Sequence, residues 1–180
     1  LSPQIILILG GARSGKSAYA EKLARQSGQH ILYIATAEAR DEEMVKRIAA
    51  HRAARPPTWR TLEAPTNVGA SLATINDRLD AILLDCLTLL VSNMVLAMEE
   101  QPEVVVEAAV EAELEAIVAA QTRLNAPLII VSNEVGLGLV PPYPLGRLYR
   151  DILGRANQRL AAQAGRVLFM VAGLPMTVKG

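Results

Sequence analysis

Short, nearly unbroken apolar runs recur along the chain, and between them apolar residues return every three or four positions. The runs are Gln4–Gly10, His30–Thr36, Ala81–Asp85, Pro127–Ser132 and Arg166–Ala172, with a weaker one at Trp59–Glu63. Runs that do not alternate with polar residues predict strands buried on both faces. The intervening spacing predicts helices at about Ser17–Gln26, Asp41–Ala54, Val68–Arg78, Leu87–Glu99, Glu103–Asn125 and Gly146–Ala164. The helix from Glu103 is the best marked: Pro102 precedes it, Glu103 and Glu107 sit near its positive end, and Asn125-Ala126-Pro127 stops it. Strands alternating with helices predict right-handed βαβ units and an α/β fold with a doubly wound, mostly parallel sheet. Pro56-Pro57 and Pro141-Pro142-Tyr143-Pro144 read as loops rather than domain boundaries, so residues 1–180 form a single domain.

Composition narrows this picture. Apolar residues make up 51% and aromatics only 3%, so Ala, Val, Ile and Leu must fill the core. Lys+Arg and Asp+Glu are equal at 18 each, which leaves no global field to attract nucleic acid or a membrane surface. Cys86 is the only cysteine, so there is no internal disulfide and no zinc-ligand spacing, a usage that fits a reducing cytoplasm. The first apolar run is too short for a signal peptide or a spanning helix, and no membrane insertion is expected.

The chemistry begins where the first strand ends. Ile5-Ile6-Leu7-Ile8-Leu9 runs into Gly10-Gly11-Ala12-Arg13-Ser14-Gly15-Lys16-Ser17, which is G-x-x-x-x-G-K-S between a strand and a helix. Glycines at both ends let successive N–H groups turn inward around phosphate oxygens, and the following helix adds its positive dipole end. Lys16 can reach β- and γ-phosphates, and the Ser17 hydroxyl can ligate Mg²⁺. A second oxygen ligand is then needed, and Asp85 closes the run Ala81-Ile82-Leu83-Leu84 at a strand's carboxyl end. The competing role for Asp85 is N-cap of the next helix.

Arg47, His51 and Arg55 stand four residues apart, so they stack on one helix face until Pro56 ends the helix. A histidine between two arginines is expected to be held neutral, a form that suits a nucleophile, and two guanidinium groups can hold a phosphate chain against it. Spacing alone equally describes a solvated basic face with an ordinary histidine. His30 reads as a strand-edge residue, Cys86 as a small buried hydrophobe and Trp59 as packing. Glu63 is either solvated or a ribose or base ligand. Asn133-Glu134-Val135-Gly136-Leu137-Gly138 is either a loop over the site or a turn.

Several of these segments together resemble one family: the P-loop above, Tyr33-Ile34-Ala35-Thr36, Asp41-Glu42-Glu43-Met44, His51-Arg52-Ala53-Ala54-Arg55-Pro56 with Trp59-Arg60-Thr61, and Asn133-Glu134-Val135-Gly136. Gly146-Arg147, Arg150-Asp151, Gly154-Arg155 and Asn157-Gln158 continue the agreement over nearly the whole chain. The chain is similar to the bifunctional adenosylcobinamide kinase / adenosylcobinamide-phosphate guanylyltransferase family of cobalamin biosynthesis. The resemblance implies a RecA-like P-loop fold, a homotrimer, and a corrinoid substrate phosphorylated from ATP or GTP. It also implies GMP transfer from GTP to the resulting phosphate through a guanylylated histidine, for which His51 is the matching position, with Ala50 where some relatives carry a second histidine. By the same matching, Gly10, Gly11, Ala12, Arg13, Ser14, Gly15, Lys16 and Ser17 would contact the nucleotide or its Mg²⁺. So would Thr36, Ala37, Glu38, Arg52, Ala53, Ala54, Arg55, Glu63 and Asp85, with Ser17 and Asp85 as the metal ligands. The alternatives are a small-molecule P-loop kinase without a covalent intermediate, or a GTP-binding switch. The sequence has no N-K-x-D, and the strand-end acid does not open a D-x-x-G (Asp85-Cys86-Leu87-Thr88), both of which a switch would use.

Overall fold

Apolar side chains that alternate between two faces build the sheet. In β1 (Ile5–Gly10), Ile5 and Leu7 enter one core cluster while Ile8 enters the other. In β2 (Ile31–Ala35), Leu32 and Ile34 join the first cluster, and Ile31 and Tyr33 the second. Each large aliphatic side chain fully removed from water contributes roughly 1.5–3 kcal/mol, so a sheet covered on both faces is what the continuous runs favour. The computed structural model describes residues 4–38, 42–53 and 55–180.

Along the chain follow α1 (Lys16–Ser27) after β1, then β2, α2 (Glu42–Ala53), β3 (Arg60–Glu63), α3 (Val68–Ala73) and β4 (Ala81–Asp85). α4 (Leu87–Ala97), α5 (Glu103–Leu124), β5 (Leu128–Val131), α6 (Pro144–Gln163), β6 (Arg166–Val171) and β7 (Leu174–Lys179) complete it. The strands form one sheet in the order β3-β2-β4-β5-β1-β6-β7, parallel except for β7, which runs antiparallel to β6. α1 packs over β1, β4 and β5 on one face, while α3, α4, α5 and α6 supply the other core. Registers pair Ile8 with Val131, Val131 with Asp85, Asp85 with Ala35 and Ala35 with Glu63. The carboxyl ends of five strands therefore lie along one edge, where open α/β sheets bind ligands.

The six expected strands are present, and the structure adds β7, which the apolar pattern missed because Pro175 interrupts it. Proline is tolerated on an edge strand, where its missing N–H faces away from the ladder. α3 ends at Ala73 instead of continuing to Arg78, because Arg123 of α5 donates to the carbonyls of Leu72 at 2.9 Å and Ile75 at 2.8 Å. α6 begins at Pro144 rather than Gly146, with proline in the first turn, where its lack of an N–H costs nothing. Asp41 and Ala54, the expected ends of α2, lie outside the described residues.

Candidate functional site

The P-loop curls because three of its residues, Gly10, Arg13 and Gly15, have positive φ. Arg13 has φ 55° and Gly15 has φ 92°, and Gly15 serves as the N-cap of α1. The curl is braced from outside the motif: the Gly173 N–H in the β6–β7 turn donates to Ser14 O at 3.0 Å. A Cβ on Gly15 would fall 3.1 Å from the Gly173 Cα, so the close approach of the two backbones requires glycine there. Gly11, Ala12 and Arg13 are exposed, and a Cβ at Gly11 would meet nothing within 4 Å among the described residues. The Ser14 Oγ is buried with no hydrogen-bond partner among the described residues. An open mouth with an unsatisfied hydroxyl beside it is the environment a phosphate chain would complete.

Lys16 is buried and its ammonium donates to Gly11 O across its own loop. Burial holds that ammonium below the usual lysine range, while the nearby Cys86 and Asp85 pull it back up. Ser17 Oγ donates to Asp85 Oδ1 at 3.2 Å, and the Tyr33 hydroxyl donates to Asp85 Oδ2 at 2.8 Å. The sheet thus brings the two expected metal ligands together from positions 68 residues apart. A hydroxyl and a carboxylate side by side next to the P-loop fit Mg²⁺, a hard ion that takes few protein oxygens and fills its shell with phosphate and water. Asp85 is not the cap of α4: that position is Cys86, with no side-chain cap bond.

Tyr33 is the residue sequence reasoning passed over. Burial, then the Asp85 carboxylate, push its hydroxyl far above the ordinary tyrosine value, so it stays protonated and donates. The Arg55 guanidinium lies 3.6 Å from the Tyr33 ring centroid, and Trp59 stacks on the same tyrosine at 6.4 Å between centroids. Trp59 is therefore packing, as expected, but it packs a column that runs from Asp85 to the turn after α2. Arg55 also donates to Thr61 Oγ1 at 3.3 Å, while its Nε is buried without a partner among the described residues. The only sequence signal for this column is the presence of a tyrosine where the strand needs just an apolar residue.

The other expected residues are distributed over both ends of the sheet and α2. Thr36, Ala37 and Glu38 leave β2 at its carboxyl end. Thr36 Oγ1 exchanges hydrogen bonds with the Cys86 backbone, donating to O at 2.7 Å and accepting from N–H at 2.8 Å. Asn93 of α4 donates to Thr36 O at 2.9 Å and Pro65 O at 3.0 Å, tying the loops after β2 and β3 together. Arg52 and Glu63 form an exposed ion pair between the end of α2 and the end of β3. Ala53 ends α2 and is exposed. His51 lies in the last turn of α2, and its side chain, like that of Arg47, lies outside the described residues. His30 sits at a strand edge with its N–H donated to Asp80 Oδ2 at 2.9 Å. After β5, the Asn133 N–H donates to Thr88 Oγ1 at 2.7 Å and the Glu134 N–H to Gly10 O at 3.2 Å, so this segment starts as a fixed wall of the P-loop. Among the described residues no helix is long and apolar enough to cross a membrane.

Comparison with known proteins identifies the family. A family model described as cobinamide kinase / cobinamide phosphate guanyltransferase matches residues 6–178. The chain is 48% identical to the bifunctional adenosylcobalamin biosynthesis protein CobP of Pseudomonas aeruginosa, covering 97% of this chain and 96% of that one. It is 42% identical to the bifunctional adenosylcobalamin biosynthesis protein CobU of Salmonella typhimurium, covering 97% and 99%. Among solved structures it resembles the RadB recombinase with a TM-score of 0.54, at 15% identity, over 93% of this chain and 74% of that one. That likeness concerns the fold alone, which is a RecA-like P-loop fold. With its P-loop, its Ser17–Asp85 pair and a match spanning nearly its full length, the chain belongs to the cobinamide kinase / cobinamide phosphate guanyltransferase family.

Proposed function

We propose that the chain catalyses both reactions of its family at one nucleotide site, with His51 as the covalent carrier in the second. The observation that carries this is the convergence of the Lys16 ammonium, the Ser17 hydroxyl and the Asp85 carboxylate on the mouth of the P-loop. In the first reaction the aminopropanol hydroxyl of adenosylcobinamide attacks the γ-phosphorus of ATP or GTP. The bond from phosphorus to the bridging β–γ oxygen breaks, the nucleoside diphosphate leaves, and the hydroxyl proton is released to solvent. The P-loop N–H groups and Lys16 orient the triphosphate and take up charge on the leaving oxygen. Ser17 and Asp85 would hold Mg²⁺, which when bound neutralises phosphate charge.

In the second reaction an imidazole nitrogen of His51 attacks the α-phosphorus of GTP, and pyrophosphate leaves as the P–O bond breaks. An oxygen of adenosylcobinamide phosphate then attacks the same phosphorus, the P–N bond breaks, and adenosylcobinamide-GDP is released with His51 restored. On the family resemblance we assign Thr36, Ala37, Glu38, Arg52, Ala53, Ala54, Arg55 and Glu63 to nucleotide contact. A homotrimer belongs to the same reading.

The decisive experiment uses GTP radiolabelled on the α-phosphate. The wild-type protein is expected to take up label that survives alkali and is released by acid, as a phosphorus–nitrogen bond requires. His51→Ala is expected to lose the label and GMP transfer while retaining phosphorylation of adenosylcobinamide. Label retained by a folded His51→Ala protein would defeat the assignment. A wild-type protein that phosphorylates but never labels would be a simple kinase.

A further inference from the structure

Beside the P-loop, on the α6 face of the sheet, lies a cleft of about 450 Å³ that no step above uses. One wall is a single face of α6, carrying Arg150, Gly154 and Gln158 at helical four-residue spacing, with Asn157 beside them. The opposite wall is Leu9 of β1 and Glu134 of the segment after β5. The cleft adjoins the nucleotide site directly: Leu9 precedes the first P-loop glycine, and the Glu134 N–H is bonded to Gly10 O.

Three features mark it as a built site. Asn157 is 4% exposed and donates to Asn133 O at 3.1 Å, which ties the two walls, while its Oδ1 has no partner among the described residues. Gly154 sits in the middle of the long α6, where glycine weakens a helix, yet a Cβ there would meet nothing within 4 Å among the described residues. Filling that position would therefore intrude on the cleft rather than on the core. The lining also mixes donors and acceptors with its charges balanced: Arg150 is paired with Asp151 and Arg155 with Glu107, Glu134 Oε1 accepts from the Gly136 N–H, and the Gln158 amide adds a donor and an acceptor.

We propose that this cleft holds the carboxamide-bearing edge of the corrinoid acceptor, directing its aminopropanol arm at the P-loop. A primary amide presents a carbonyl acceptor and two N–H donors on one planar group, and the mixed lining suits such groups better than it suits an anion or a hydrocarbon. At about 450 Å³ the cleft takes an edge of the macrocycle and its side arms rather than the whole ring. The proposal rests on the kinase and guanylyltransferase reading, deepens it, and fails separately from it. Self-labelling from α-labelled GTP involves no corrinoid, so it reports the nucleotide site alone.

Gly154→Leu fills the cleft while improving helix propensity, and Gln158→Ala removes an exposed amide from its wall. Each is expected to raise the KM for cobinamide about tenfold or more, with the KM for nucleotide and the rate of self-labelling as in the wild type. Equilibrium dialysis of cobinamide, followed by its own visible absorbance, should show the same loss of binding. An unchanged KM for cobinamide in both variants overturns the proposal. So does a loss that falls equally on self-labelling, which would place the effect on the nucleotide. A wild-type protein that does not label counts against the covalent reading and leaves the cobinamide-binding comparison to decide the cleft.

Discussion

Removing a single oxygen from Tyr33 tests how the centre is held. Tyr33→Phe keeps the ring between Arg55 and Trp59 but takes the 2.8 Å donor from Asp85. A hydrogen bond to a charged group is worth about 1.5–3 kcal/mol. The variant is therefore expected to fold, to need about tenfold more Mg²⁺ for half-maximal kinase activity, and to lose turnover by a similar factor; a Mg²⁺ titration checks this. Lys16→Ala and Ser17→Ala are expected to cost on the order of 10²-fold or more in both half-reactions, which separate steady-state assays would reveal. For Cys86, burial and then Asp85 push the thiol up to about 11. A raised value keeps the protonated, unreactive form dominant at neutral pH, so alkylation should stay slow at pH 8 and accelerate only as pH nears that value. Mass spectrometry after iodoacetamide treatment across this range measures it. Lys16, Ser17 and Asp85 were legible because a strand, a turn and a helix fix them locally. Tyr33 was not, since its bond to Asp85 joins positions 52 residues apart.

Among the elements, the periodic patterns located the strands and helices, while contacts from elsewhere decided where some of them end. The closing carbonyls of α3 are gathered by Arg123, and no local signal near Ala73 announces that. α3 can lie close to α5 because Gly69 faces Ala116 with no room for a Cβ. Gly69→Val should cost about 1–3 kcal/mol through overpacking, a drop in melting temperature of a few to about ten degrees by calorimetry. β7 matters in another way, since its turn supplies the Gly173 N–H that braces Ser14 O. Gly173 has φ 82°, and placing alanine there costs about 1–2 kcal/mol. Gly173→Ala is expected to lower the melting temperature slightly and to raise the KM for both nucleotides, linking an edge hairpin to the P-loop. A thermal shift without a change in either KM would reduce the hairpin to a structural role.

At the scale of the molecule, light scattering should give three times the 19.3 kDa chain mass if the chain assembles as its family resemblance implies. Monomer across the working concentration range would remove the trimer from the reading. The large hydrophobics left exposed, among them Leu139 at 97% and Leu174 at 72%, are the surface such assembly would have to explain. The sequence by itself determined that this is an α/β chain with a parallel sheet, because unbroken apolar runs and helical periodicity are local properties of neighbouring residues. It determined the phosphate chemistry for the same reason, since the P-loop is a contiguous segment that carries its own backbone geometry. The tertiary structure alone decided that β4 lies one strand from β1, so that Asp85 meets Ser17, and that Tyr33 meets Asp85 across β2 and β4. It alone placed a cleft between α6 and the segment after β5. Strand order and helix packing are set by the summed burial of two cores, a quantity that no short stretch of the chain contains.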